Sequence, residues 1–326
     1  MLKSIIIGSI LAAILIMTSC SKTATNSHPQ LIFKFVYDST QVRLNAFGQP
    51  EAMPSGHAGQ NPHLNVMSAH YIEMAQYDTD SLGKGTILYM TPNSTAGGSS
   101  AIDFSQEVLT PNNSIFYQRS LDSVTPGTYK WLRVSLAYQN FDAQLYVDTT
   151  YNYNYNGTNI PVVVNQEFPC TVASFVGSNT YISSYTVKSQ SVAVNANKLQ
   201  GYWGFESSGT ITGSYLGYPY SYPFNYITQG QAPVGATTVV NPLFASSPIP
   251  AGSCVATGQF ASETGNSTAP LIITGHETSD IVVVVSLSVN KSFEWIDVHQ
   301  DGKWEPSKGE NIVDMGIRGL IPKVKR

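Results

Sequence analysis

Apolar residues in this chain recur at every second position, and no window carries the three-to-four-residue spacing of a long amphipathic helix. Leu31, Phe33, Phe35 and Tyr37 fall on one face of an extended segment, while Lys34 and Asp38 share the other with Ile32 and Val36. Side chains that alternate in this way mark a strand with one face buried. The same reading predicts strands over 64–75, 85–90 and 128–138; in the last, Leu132, Val134, Leu136 and Tyr138 alternate with Trp131, Arg133 and Ser135. Near the C-terminus Ile281, Val283, Val285, Leu287 and Val289 line one face. Val282 and Val284 make the start of that strand apolar on both. The expected fold class is all-β, an antiparallel β-sandwich with no more than small helical turns.

The middle third departs from this pattern. Tyr151, Tyr153 and Tyr155 alternate with Asn152, Asn154 and Asn156, and Gly157 follows. Asn-Gly is the strongest short hairpin signal, so the three tyrosines are expected on one strand face just before a tight turn. Pro161 in the returning arm has no N–H for a ladder, which places it on an edge. Tyr215, Tyr218, Tyr220, Tyr222 and Tyr226 form a second aromatic stretch, interrupted by Pro219 and Pro223 and therefore expected as a loop or irregular edge. Residues 46–62, rich in Gly and Pro, read as a long loop, and 229–250 as connecting structure. Residues 149–250 together read as a tyrosine-rich insertion in the sandwich.

Lys3, the apolar run Ile5–Met17 and the small residues Thr18 and Ser19 precede Cys20. The run is too short to span a bilayer and has the layout of a lipoprotein signal segment cut before an acylated cysteine. Residues 1–19 are read as signal peptide, 20–30 as a polar flexible tether, and 31–326 as the β-sandwich body. The expected address is the bacterial cell envelope, lipid-anchored on the periplasmic or outer-membrane surface. Two further cysteines, Cys170 and Cys254, allow a disulfide in an exported protein; two buried thiols are the alternative.

Of the 326 residues only 12% are charged, and the net charge is −4. Such a surface makes weak long-range fields, and no Lys/Arg cluster tracks a phosphate backbone, which argues against nucleic-acid binding. Gly-x-Ser-x-Gly, His-Glu-x-x-His and Gly-x-x-x-x-Gly-Lys are absent from the sequence, so no catalytic residues are assigned and a non-enzymatic role is expected.

Three groups of residues carry candidate binding chemistry. Asp297-Val298-His299-Gln300-Asp301-Gly302 resembles the first half of an EF-hand loop, with Asp297, Asp301 and Gly302 at its first, fifth and sixth positions. His299 stands where an oxygen donor is usual, and Glu305 is placed to serve as a later ligand. Lys308 occupies the closing acidic position, and Glu310 comes two residues late. Calcium takes about six to eight oxygens, so the motif points to a calcium-supported turn; a plain hairpin turning at Asp301-Gly302 is the alternative. His57, His63 and His70 form the second group, with Met53 and Met67 nearby in sequence. Imidazole and thioether donors suit copper, while the bland reading is two exposed loop histidines and one core histidine. The third group is Tyr151, Tyr153 and Tyr155 with Trp131, Trp203, Trp295 and Trp304, whose rings suit stacking on a glycan or a protein partner.

The lipobox, the Leu-Ile-Phe-Lys-Phe opening strand, the Met67–Ile72 segment and the Asp-x-x-x-Asp-Gly loop together resemble uncharacterised lipoproteins of Bacteroidota-type bacteria. More distantly, they are similar to the MbnP-like copper-binding family of envelope β-sandwich proteins. That resemblance implies copper held by histidines and a tryptophan, and points here to His57, His63 and His70. The expectation is a lipid-anchored β-sandwich binding module for a glycan or protein partner, with copper or calcium binding as the competing role.

Overall fold

The computed structural model describes residues 28–77, 80–232 and 254–325. Cys20, the signal segment, the tether before His28 and the end of the expected insertion lie outside the described residues. The strands in chain order begin with β1 (Gln30–Asp38), β2 (His57–Gln60), β3 (His63–Ala75), β4 (Thr86–Met90), β5 (Asn93–Ser94) and β6 (Ala101–Asp103). Then come β7 (Ile115–Ser120), β8 (Gly127–Tyr129), β9 (Trp131–Tyr155), β10 (Thr158–Phe175), β11 (Asn179–Thr186) and β12 (Ser191–Leu199). The chain continues with β13 (Tyr202–Tyr215), β14 (Tyr218–Gln231), β15 (Cys254–Gln259), β16 (Leu271–Ile273), β17 (Ile281–Ser288), β18 (Phe293–Ile296), β19 (Ile312–Met315) and β20 (Leu320–Lys325). Among the described residues the only helical structure is short 3₁₀ turns, so the all-β expectation holds.

Two sheets share the main core. One runs β20-β17-β1-β7; the other is a curled sheet ordered β14-β13-β10-β9-β3-β4, with β15 also paired to β9. Leu31, Phe33 and Phe35 of β1 and Val283, Val285 and Leu287 of β17 are fully buried against Met67, Ile72, Val134 and Leu136 of the second sheet. β17 lies between two neighbours, parallel to β1 and antiparallel to β20; Val283 and Val285 are buried on the core face, while Val282 and Val284 on the other face are half-buried. A smaller sheet, β12-β11-β6-β5, belongs to a second core in which Ile182 and Tyr185 meet Tyr138, Phe175 and Tyr202.

The hairpin at Asn156-Gly157 forms as expected. Both residues have positive φ (50° and 85°), and Tyr155 pairs with Thr158. β9 and β10 pair without interruption from Tyr138 and Phe175 out to this turn. Pro161 lies on an open edge, because β13 pairs with β10 only from Cys170 to Phe175.

Three expectations are corrected. The second tyrosine stretch lies on a sheet edge, as one expected alternative had it, but as a regular strand: β14 pairs with β13 over its whole length from a Leu216-Gly217 turn, with Tyr215 closing β13. Pro219 and Pro223 are tolerated because β14 ends its sheet, and residues an even number apart turn their backbone nitrogens the same way, here outward. The long loop over 46–62 contains a strand, β2, which pairs with β18. Cys170 and Cys254 are free and buried rather than bridged. They pair with Ala143 and Leu136 of β9 respectively. Seven residues of strand separate those two positions by roughly 23 Å, beyond any disulfide's reach.

Candidate functional site

The strand alternation that builds the core continues along the outer arms of β9 and β10, where it builds a trough. Leu145, Val147 and Tyr151 face inward from β9, and Val164, Phe168 and Val172 from β10. Leu145 lies directly opposite Phe168, so both side chains stand on the same side of the sheet. Phe205, Ser207 and Ile211 of β13 and Phe224, Tyr226 and Thr228 of β14 extend this concave surface. Register again explains it: Val172 opposes Phe205, and Ser207 opposes Tyr226. Beyond Cys170 and Ser207 the backbones of β10 and β13 no longer pair. Side-chain hydrogen bonds bridge the gap instead, Gln166 Nε2 donating to the Thr210 carbonyl (3.2 Å) and the Tyr220 hydroxyl to the Val163 carbonyl (3.2 Å). The trough's volume is about 900 Å³.

The opposite wall comes from the loop between β18 and β19. Trp304 is buried there, edge-on to Phe293 (4.9 Å) and to Phe205 (6.1 Å). The loop is fixed to β9 at three points. The Tyr146 N–H donates to the Trp304 carbonyl (2.8 Å), Lys303 Nζ lies 3.8 Å from the centre of the Tyr146 ring, and Lys308 Nζ donates to Asp148 (2.7 Å). The Asp148 contact holds Lys308 well above the usual lysine range, and Glu305 adds to the shift. Pro306, Ile312 and Met315 complete the wall.

At the edge of this wall His299, Glu305 and Glu310 converge, each offering one ligand atom within 4.8 Å of the others. His299 Nδ1 lies 3.8 Å from both Glu305 Oε2 and Glu310 Oε1. The side chains of Glu305 and Glu310 are 2% and 0% exposed, whereas His299 is 45% exposed. Glu310 Oε2 accepts from the Glu305 N–H (2.6 Å), and Glu305 Oε1 meets Lys308 (3.0 Å). Among the described residues Glu310 Oε1 has no hydrogen-bond partner. Two like charges this close repel by roughly 3–4 kcal/mol at an effective dielectric constant of about 20, and Lys308 touches only one of them.

The structure treats the sequence candidates unequally. His299 and Glu305 of the expected calcium loop come together, but Asp297 and Asp301 stand outside the group. Asp297 instead accepts the N–H groups of Asp301 (3.2 Å) and Gly302 (2.9 Å) and shapes the turn. A tight hairpin at Asp301-Gly302 does not form, since β18 and β19 are joined by residues 297–311. The donor that joins His299 and Glu305 is Glu310, displaced from the EF-hand spacing by the 3₁₀ turn Pro306–Lys308 and by Gly309 at φ 89°.

His57, His63 and His70 form no three-ligand group among the described residues. His57 Nδ1 meets Glu294, a buried carboxylate that also binds Arg43 and Arg318. His63 opens β3 opposite Asp142 and is exposed. His70 is the extra residue of a β-bulge: Ala69 pairs with Leu136 and Tyr71 with Ser135, leaving it without an opposite number. Both of its ring nitrogens are buried without partners among the described residues, and burial lowers its pKa to about 4.

Tyr151 and Tyr153 share a face, as expected, and Tyr151 belongs to the trough. Tyr153 packs on Tyr222 (5.3 Å), which stacks on Tyr220 (5.6 Å). The side chain of Tyr155 lies outside what the structure describes. Sequence reasoning missed Phe205, Ile211 and Phe224, although each stands between small or polar residues, Gly204 and Glu206, Thr210 and Thr212, and Pro223 and Asn225. Comparisons with protein-family models, with curated proteins and with solved structures found no match for this chain.

Proposed function

We propose that this protein is a non-enzymatic binding module of the bacterial envelope, anchored by a lipid on Cys20, that holds an apolar-bodied small ligand in the trough. The observation that carries this reading is the lining: aromatic and aliphatic side chains from five strands and one loop, around a volume of about 900 Å³. Ligand pockets commonly enclose about 300–1,000 Å³ and combine an apolar wall with a few polar groups. Those polar groups here are Ser207 on β13 and Thr228 on β14, whose register positions face the trough. A glycan needs a dense set of donors and acceptors, so this lining favours an acyl chain or a fused aromatic body over a sugar. Tyr153, Tyr220 and Tyr222 of the two hairpins extend the same surface outward and give the ligand its entry face.

The test is a titration of the purified full-length protein with the apolar fluorophore N-phenyl-1-naphthylamine, read by energy transfer from Trp203 and Trp304. Saturable binding that a fatty acid displaces is expected, with at least a tenfold loss in Ile211→Trp, which fills the trough. An Ile211→Trp protein of native near-ultraviolet dichroism that binds as well as wild type rejects the trough as the site. Displacement by oligosaccharides but not by fatty acids replaces the apolar ligand with a glycan.

A further inference from the structure

We infer that His299, Glu305 and Glu310 form a divalent-metal site on the wall of the trough, suited to zinc rather than to calcium. The inference is independent of what the trough holds. Its first support is the geometry, one imidazole nitrogen and two carboxylate oxygens within 4.8 Å of one another. Tetrahedral zinc with bonds of about 2.0–2.1 Å separates its donors by about 3.4 Å. The two edges from His299 Nδ1, each 3.8 Å, then need to close by only ~0.4 Å.

The second support is Glu310. Its side chain is fully buried, its Oε1 has no partner, and that oxygen points at the gap between His299 and Glu305. A buried carboxylate oxygen is satisfied by a proton donor or a cation in nearly all proteins, and among the described residues no hydrogen-bond donor supplies one here. Lys308 is turned to the other oxygen of Glu305 and to Asp148, so it neutralises the outer side of the cluster and leaves the inner side negative.

The donor set decides which metal. Calcium asks for about six to eight oxygens, whereas a mixed set with imidazole suits zinc and its first-row neighbours. The EF-hand-like carboxylates that would have made an oxygen cage are otherwise engaged: Asp297 caps the turn, and Asp301 faces Lys303 (3.8 Å). Three protein ligands leave a tetrahedral ion one open position. His299 is half exposed and Glu310 lines the trough, so that position lies where solvent and a trough ligand's polar end meet.

The experiment is isothermal titration of chelator-treated full-length protein with Zn²⁺, Mn²⁺ and Ca²⁺ near pH 7.5, with cobalt substitution as a spectroscopic readout. One equivalent of Zn²⁺ is expected, and Co²⁺ gives the intense visible bands of a four- or five-coordinate ion. Glu310→Gln and His299→Ala lower zinc affinity at least tenfold; His299 is exposed enough that its removal leaves the fold intact. Asp301→Asn binds as wild type. The inference is overturned if Zn²⁺ does not bind, or if His299→Ala and Glu310→Gln bind it as wild type does. It is overturned equally if Ca²⁺ binds and Asp301→Asn abolishes that binding. Unchanged N-phenyl-1-naphthylamine binding in His299→Ala keeps this result separate from any failure of the trough reading.

Discussion

Replacing His70 by leucine tests the assignment of that residue as a neutral core imidazole. His70 is 2% exposed, sits in a bulge of β3, and has no partner for either ring nitrogen. Burial holds its folded-state pKa at about 4, against 6.5 for the unfolded chain. The unfolded state therefore takes up a proton more readily than the folded state, and stability falls as pH drops from about 6.5 towards 4. Linkage over that window gives a loss of about 3 kcal/mol by pH 4. Buried carboxyls work in the opposite sense. Burial raises Glu107 to about 8 and Asp314 to about 6, so each adds stability as pH falls towards the unfolded carboxyl pKa. The raw pH profile mixes these contributions, and the difference between wild type and His70→Leu isolates the imidazole. Urea unfolding of both proteins at several pH values between 7 and 4 supplies it. Leucine is expected to be within about 1 kcal/mol of wild type at pH 7 and more stable by about 3 kcal/mol near pH 4. A difference that stays constant across the range refutes the buried neutral imidazole.

Two further predictions concern His57, through its partner Glu294, and the two cysteines. Glu294→Ala leaves Arg43, which is almost fully buried, and Arg318 without their shared carboxylate and frees His57. A loss of about 3–5 kcal/mol in urea melts is expected, and a loss below about 1 kcal/mol contradicts a buried ion network. Burial pushes the Cys170 thiol up to about 12 and Cys254 higher still. Neither should react with a thiol reagent near pH 8 until the protein is unfolded, when both should; rapid labelling of the native protein contradicts the packing around them.

How far the sequence could be read follows from how local each feature is. β1 and β17 were legible because one buried face imposes alternation on consecutive residues. The Asn156-Gly157 turn was legible because both positions need positive φ. β14 was not, because Pro219 and Pro223 argue against a strand unless its edge position is known, and that position depends on the whole sheet. The metal-ligand geometry failed for a similar reason. A spacing rule taken from a helix-flanked loop does not hold where a 3₁₀ turn and a left-handed Gly309 set the chain's path, and only that path brings Glu310 back to His299. The trough lay furthest from view, since it needs Phe168 and Phe224, more than fifty residues apart, at 4.9 Å.

The outer arms bear on function through an asymmetry of their two faces. Along β9 beyond Leu145, the inward positions include Val147 and Tyr151, while the opposite face carries Asp148, Thr150 and Asn152. On β14 the inward Phe224 and Tyr226 alternate with Pro223 and Asn225 in the same way. An arm that merely projected into solvent would be under pressure to be polar on both faces, because an exposed apolar strand near an edge invites pairing with other chains. Here the apolar face is kept, and the edges beside it carry Pro161, Pro219 and Pro223, which cannot donate to an incoming strand. Edge pairing is thus discouraged while the concave face stays open to an apolar ligand. The loop bearing Trp304 and Glu310 closes the side of that face away from the hairpin tips. The two parts of the sequence that looked least alike, the tyrosine-rich middle and the acidic C-terminal loop, therefore build one site between them.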